Sequence, residues 1–433
     1  MPTHRRWADL HAGLVSRVAD LCALQGYASC RAVCASWRAA LPPPTSRPLA
    51  PVVVPADDGC GDTASHEPLS LAVCSVHAQR WSRLLGLRQP SGLANATGAS
   101  RCVGARDGWV VLAAANAKAG AASVVLLFNP LTGVEIPLHA SLYDPKCESP
   151  PKVVFSPCPT VRDFAAVSIC RRNRLAVQRT TDGYSSSLVL DTAALMDGAD
   201  LADVAFDDNG RVVYCLMRHG AVHVLRLNRR RHRGRLRPIE IEPLVTGGST
   251  DAVFPAPYDT IARFTEAKNL VLCDGALYQV WRRPSGAGSA VVPAGIYDQQ
   301  LLRIPESAVF VLRYEPAPPA GGSRPPCWSE SKDLGGHAVF LGANDAAAVR
   351  GHDGDGAAEL MSGGCLYYWA SRAEGDYEAF AYSMADRIST RLPPATGGVS
   401  SPLWYFLPAG AANVEATTAM EAASDEVSVA VTV

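Results

Sequence analysis

The sequence predicts a mainly β protein with a small α-helical N-terminal domain, its body a β-propeller built of antiparallel four-stranded blades. Three observations carry this. Apolar residues recur at helical spacing in the first forty-odd positions, at Leu14, Val15, Val18, Leu21 and Cys22, then at Cys30, Val33, Cys34 and Trp37. Further along, the period changes from 3.6 to 2, and strand-like runs alternate with Gly, Asn and Asp turn signals. One strand–turn–strand plan occurs at residues 127–138 (LFNPLTGVEIPL) and again at 381–393 (AYSMADRISTRLP), each time after an apolar strand. Such recurrence of the outer half of a four-stranded unit is the mark of a propeller, with one or two β-sandwiches as the competing architecture.

The helical stretch is bounded by residues that end helices. Gly26 and Tyr27 break the run between two short helices, and Pro42, Pro43 and Pro44 stop the second. Isolated helices below about 12–15 residues are marginal in water, so these two need an apolar partner. Residues 7–44, WADLHAGLVSRVADLCALQGYASCRAVCASWRAALPPP, resemble an F-box, and RAVCASWRA, residues 31–39, is the specific part. The resemblance implies a helical domain over residues 1–44 that docks on the adaptor subunit of an SCF-type cullin–RING ubiquitin ligase. It implies adaptor contact through Leu10, Leu14, Val18, Val33, Cys34 and Trp37, apolar residues on helix faces. Two departures stand out. His11 follows Leu10 where the family has proline, a favoured first-turn residue, and the spacing between the helices is shorter than the family's.

Composition bounds the rest. The chain has 433 residues, of which 48% are hydrophobic, enough for a large body beside a small head. A net charge of −1 argues against a nucleic-acid coat or a polybasic membrane binder. No apolar signal core follows Met1, and no run approaches the roughly 18 apolar residues of a membrane span. The expected place is the cytoplasm and/or the nucleus. The 13 cysteines are scattered without a CxxC pair, which suits free buried thiols rather than a disulfide framework.

Residues 45–68, rich in Pro, Asp and Gly, form a linker whose apolar island at Val52 to Val54 leads into a first strand. The propeller-like domain occupies residues 69–409. Its turns are marked by Asp107-Gly108, Asn209-Gly210, His219-Gly220 and Asp274-Gly275. At about 40–50 residues per blade the body would hold seven or eight blades, or fewer with long loops. Residues 410–433 have no periodicity and read as a disordered tail.

The segments CVGARDGWVVL, LFNPLTGVEIPL, NLVLCDGALYQVWRR, LGGHAVFLG and GGCLYYW, in that order, resemble the plant F-box-associated family known as domain of unknown function 295. That resemblance implies a propeller behind an F-box. The two resemblances together imply the substrate-recognition subunit of a ubiquitin ligase. Its partners would be the adaptor, through it cullin, and an unidentified target protein, with no nucleic acid and no membrane. It would be non-catalytic and need no cofactor. The alternative is a propeller scaffold with a degenerate F-box, motivated by His11.

No catalytic loop pattern occurs: GxxxxGK[ST], GxSxG, HExxH and GxGxxG after a strand are all missing. An enzyme using the channel mouth remains the third class. Arg229, Arg230, Arg231 and Arg233 head a basic cluster that reads as a nuclear-import signal or as a solvated loop between blades. His219 and His223 fall on one strand face about 13 Å apart, too far for one metal. The HDGDG run at residues 352–356 lacks the carboxylates of a calcium loop. Trp109, Trp281, Trp369 and Trp404 are expected to pack between blades.

Overall fold

A computed structural model describes residues 7–41 (except 23), 49–55, 69–75, 80–83, 93, 100–114, 123–145 (except 131), 152–227 (except 172 and 197–199), 231–232, 235–236, 238–245, 254–265, 267–283, 288–294, 300–317, 325–350, 363–373, 376–393 and 401–407. The linker stretch 56–68, the tail 410–433 and the HDGDG run lie outside the described residues.

The head holds three short helices where the sequence pattern suggests two: α1 (Ala12–Asp20), α2 (Leu24–Ala32) and α3 (Ala35–Ala40), after a single 3-10 turn at Trp7–Asp9. Gly26 and Tyr27 lie inside α2 rather than breaking the chain. The break falls at Cys34, whose backbone is extended at φ −162° and ψ 173°. Its Sγ accepts the Trp37 N–H at 3.5 Å and so caps α3. The apolar spacing from Cys30 to Trp37 spans this break, which is why it reads as one helix. At α1 the His11 Nδ1 accepts the Gly13 N–H at 3.2 Å, a side-chain cap at the position where a proline was expected.

Five sheets follow in chain order. Blade 1 is Ser100–Arg106, Trp109–Ala114, Val124–Asn129 and Val134–Leu138. Blade 2 is Lys152–Phe155, Phe164–Arg171, Arg174–Thr181 and Tyr184–Asp191. Blade 3 is Leu201–Phe206, Val212–Met217, Val222–Arg226 and Glu240–Pro243. Blade 4 is Ala267–Cys273, Ala276–Arg282, Val309–Glu315 and Cys327–Glu330. Blade 5 orders Ala347–Arg350, His337–Leu341, Cys365–Ala373, Asp376–Ser383 and Ile388–Arg391. A separate three-stranded sheet joins Leu49–Pro55, Leu69–Ser75 and Arg80–Arg83, so the Val52 to Val54 island is a strand.

Among the described residues the blade count is five, fewer than seven or eight. Blades 1 to 3 take about 40 residues each, but the separate three-stranded sheet, the links between blades and the longer blades 4 and 5 use chain that would otherwise make more blades, and hairpins are inserted within two blades. One, Arg231–His232 with Arg235–Leu236, interrupts blade 3; another, Ala290–Pro293 with Leu301–Ile304, interrupts blade 4. The two copies of the repeated sequence plan are the outer hairpins of blades 1 and 5. Blade 5 departs from the antiparallel rule, since Val339 to Leu341 pair in parallel with Leu366 to Tyr368. The Asp-Gly turns behave as their residues require: Asp107 and Gly108 have φ of 48° and 82°, Asp274 and Gly275 of 48° and 74°. Both positions of such a turn are left-handed, which asparagine, aspartate and glycine tolerate.

Middle strands such as Trp109–Ala114 and Val124–Asn129 are buried almost throughout because neighbouring blades cover both faces. The outer strand Tyr184–Asp191 is largely exposed and correspondingly serine-rich. Each pair of neighbours shares an apolar layer. Leu127 and Phe155 belong to the layer between blades 1 and 2, and Val167 and Phe206 to that between blades 2 and 3. Leu216 and Trp281 belong to the layer between blades 3 and 4, and Val271 and Val339 to that between blades 4 and 5. Residues 401–407 close the ring. Leu403, Tyr405 and Leu407 pack on blade 1, while Trp404 packs on Phe340 and Trp369 of blade 5, ring centroids 5.2 and 4.7 Å away. Burying each such large side chain contributes about 1.5–3 kcal/mol.

Candidate functional site

Two surfaces can do chemistry or recognition. The first is on the head. Val15, Ala19, Tyr27, Trp37 and Leu41 form its own core. Other apolar side chains stay out of that core: Leu14 is 52% exposed, Val18 42% and Val33 56%, with Trp7 and Leu21 more exposed still. Leu10 and Cys34 are half-buried against the core. Trp37, grouped by the sequence with the contact residues, is 6% exposed. Its Nε1 donates to the Trp7 carbonyl at 2.9 Å, so it holds the 3-10 turn to α3. An exposed apolar set of this kind beside a complete core is surface available to a partner.

The second surface is the axis of the propeller, where charges from all five blades meet. Arg106 of blade 1 donates through Nη1 to Asp345 Oδ2, in the turn that leads to the inner strand of blade 5, at 2.8 Å. The same Asp345 oxygen accepts the Phe206 N–H of blade 3 at 3.5 Å. Lys152 of blade 2 pairs with Asp203 of blade 3. Asp203 also accepts the Val204 N–H at 2.8 Å and the Leu270 N–H of blade 4 at 2.8 Å. Burial raises the Asp345 carboxyl above the ordinary range, against the pull of Arg106 and Lys152. Burial works against the Arg106 charge, but Asp345, Asp107 and Asp208 outweigh it and raise its pKa.

Beside this network lies a cavity of about 340 Å³. Lys152, Arg171, Arg218, Lys268 and Arg282 line it with one carboxylate, Asp203. These residues sit at or beside strand ends in blades 2, 3 and 4, so rigid sheet edges position them. Arg171 pairs with Asp144 at 3.1 Å. Lys268 is buried and donates to the carbonyls of Ala262 and Thr265. Arg282 stacks on the Tyr368 ring at 4.2 Å and reaches the Asn269 side chain at 3.4 Å. Burial pulls the Arg282 guanidinium down to about 10.

None of these axial residues was singled out from sequence. The signal was there in weak form: Lys152, Asp203 and Lys268 are isolated charges inside apolar strand runs. Of the tryptophans, Trp281 and Trp404 are buried between blades, Trp369 also lines the cavity and Trp109 is half-buried. His219 lies in the turn before its strand, whereas His223 is buried on the strand, so they do not share a strand face. Among the described residues no group of His, Cys, Asp and Glu is placed to hold a metal. No described helix is long and apolar enough to cross a membrane. Of the arginine cluster, Arg231 falls on the inserted hairpin; Arg229, Arg230 and Arg233 lie outside the described residues. Ten of the cysteines among the described residues form no disulfide.

A ring of five mainly four-stranded blades closed by the chain's C-terminal side defines a β-propeller protein, a scaffold suited to binding. The model of the KIB1-4 beta-propeller family matches residues 75–383, and the chain belongs to that family. No curated protein matches the chain. Solved structures similar to it include TolB from Acinetobacter baumannii, 11% identical, with a TM-score of 0.34 over 86% of this chain and 69% of that one. Another is a putative 6-phosphogluconolactonase from Bacteroides uniformis, 11% identical, TM-score 0.33, covering 83% of this chain and 100% of that one. A third is the Cps50 (Swd1) propeller domain of Myceliophteria thermophila, 10% identical, TM-score 0.36, covering 84% and 90%. Likeness at this level carries no functional reading.

Proposed function

We propose that the chain is the substrate-recognition subunit of an SCF-type cullin–RING ubiquitin ligase. The head docks on the adaptor, and the propeller holds the target protein near the ubiquitin-loaded enzyme. The observation that carries this is the exposure of Leu14, Val18 and Val33 on a head whose own core is already complete. The F-box resemblance of residues 7–44 names the partner. The His11 cap on α1 supports this reading, since it gives α1 a start where the family has proline. The propeller contributes proximity and orientation and makes no bond itself. It works in the cytoplasm or the nucleus.

The test is co-purification of the full chain with the ligase adaptor, beside Leu14→Asp and Val33→Asp variants. Adaptor retained by the parent and lost from both variants supports the reading. Equal recovery from parent and variants, or none from the parent, leaves a propeller scaffold without a ligase role.

A further inference from the structure

We propose that the axial cavity binds a small multivalent anion, a molecule bearing two or more phosphate or carboxylate groups. The cavity's volume, about 340 Å³, falls in the small-ligand range. Five cations and one carboxylate, Asp203, line it; Lys152 pairs with Asp203 and Arg171 with Asp144 beyond the lining, which leaves three cations in surplus. That carboxylate is already committed, because Asp203 holds Lys152 and two backbone amides. Arg218 and Arg282 have no carboxylate partner among the described residues. Among the described residues, two donors on the lining are buried without an acceptor, the Nε of Arg282 and the Nε1 of Trp369. Trp369 is itself only 8% exposed. Buried donors are nearly always satisfied in folded proteins, and leaving one unmade costs about 1–3 kcal/mol.

Arg171 and Arg218 stand at a solvated rim, but a rim does not explain the other three cations. Lys152 and Lys268 are buried, and Arg282 is fixed on Tyr368. Cations held this way in a place of low dielectric attract an anion far more strongly than exposed ones do. Blades 2, 3 and 4 each contribute two of the six charged side chains, so the cations converge from separate directions. That arrangement suits separated anionic groups on one ligand better than a single one. The inference rests on the propeller alone and stands whether or not the head docks an adaptor.

The experiment is titration calorimetry of the full chain with sodium tripolyphosphate, citrate and inorganic phosphate at matched ionic strength. The expected result is one saturable site at which tripolyphosphate or citrate binds at least about tenfold more tightly than phosphate, a gap of about 1.4 kcal/mol. Which of the two wins assigns the ligand to phosphate or carboxylate chemistry. Arg218→Ala, at an exposed position that should fold normally, is expected to weaken that binding about tenfold, and Arg282→Gln to weaken it further. Alanine at Arg229, Arg230 and Arg231 together should leave it unchanged. Equal, weak binding of all three anions would overturn the proposal. So would binding that survives Arg218→Ala and is lost with the arginine cluster.

Discussion

Arg106 and Asp345, 239 positions apart in the chain, meet at 2.8 Å and tie the first blade to the last. Asp345 reaches blade 3 as well, so one carboxylate joins three blades at the axis. Removing one partner of such a pair strands the other. Arg106→Ala should therefore lower stability by about 3–5 kcal/mol at neutral pH, read from urea unfolding. The Asp345 carboxyl titrates above its ordinary value, so its contribution to stability is present below about pH 4 and declines as pH rises through its folded pKa. Asp345→Asn does not titrate but strands the Arg106 guanidinium in turn, so it should cost about 3–5 kcal/mol at pH 7 as well. The Arg106→Ala defect should shrink on acidification as the stranded carboxyl takes up a proton. A defect that is independent of pH would show that the carboxyl is not the group responsible.

Trp37 and Val33 separate folding from docking in the head. Trp37→Ala removes the largest side chain of a small core and should cost about 3–5 kcal/mol, releasing the head amides to fast hydrogen exchange. Val33→Asp acts at an exposed site and should leave that exchange pattern intact. Matching exchange patterns in the two variants would contradict this division.

Gly104 sits where the first strands of blades 1 and 2 come together. A Cβ there would lie 2.2 Å from the Val153 carbonyl oxygen, a backbone atom that cannot move aside alone. Gly104→Ala should destabilise by at least about 1–3 kcal/mol, seen as a lower thermal midpoint.

Asn344 is the latch of the ring. Its Nδ2 donates to the Ala105 carbonyl at 3.1 Å and the Trp404 carbonyl at 2.9 Å, and its Oδ1 accepts the Trp404 N–H at 3.1 Å. Asn344→Ala orphans buried backbone groups on both sides of the closure and should cost about 2–4 kcal/mol. Limited proteolysis should then cut the chain's C-terminal side first.

Thiol reactivity should follow burial. The Cys102 thiol is pushed up to about 12 and Cys215 higher still, both by burial, while Cys158 is exposed. Maleimide should label Cys158 in the native protein and reach Cys102 and Cys215 only on unfolding, a difference that mass spectrometry resolves by peptide.

Much of the fold was legible along the chain. The helical spacing at Leu14 to Trp37 marked the head, Asp107-Gly108 and Asp274-Gly275 marked hairpins, and the repeat at residues 127–138 and 381–393 marked the outer halves of two blades. Blade number was not legible, because the strands at residues 49–83 form a separate sheet and blades 4 and 5 are long, neither of which changes the local strand pattern. The break at Cys34 was hidden by apolar spacing that continues across it.

The sequence by itself determined that the head is helical, where the Asp-Gly hairpins turn and which runs are strands, since these depend on neighbours a few residues apart. Only the tertiary structure decided the axial site. Lys152, Asp203, Lys268 and Asp345 each look like a stray charge in its own strand or turn, and Arg106 and Arg282 like the charged end of a strand. Closing the ring brings them together and withdraws them from water, and desolvation with new charged neighbours then gives them properties that no local pattern encodes.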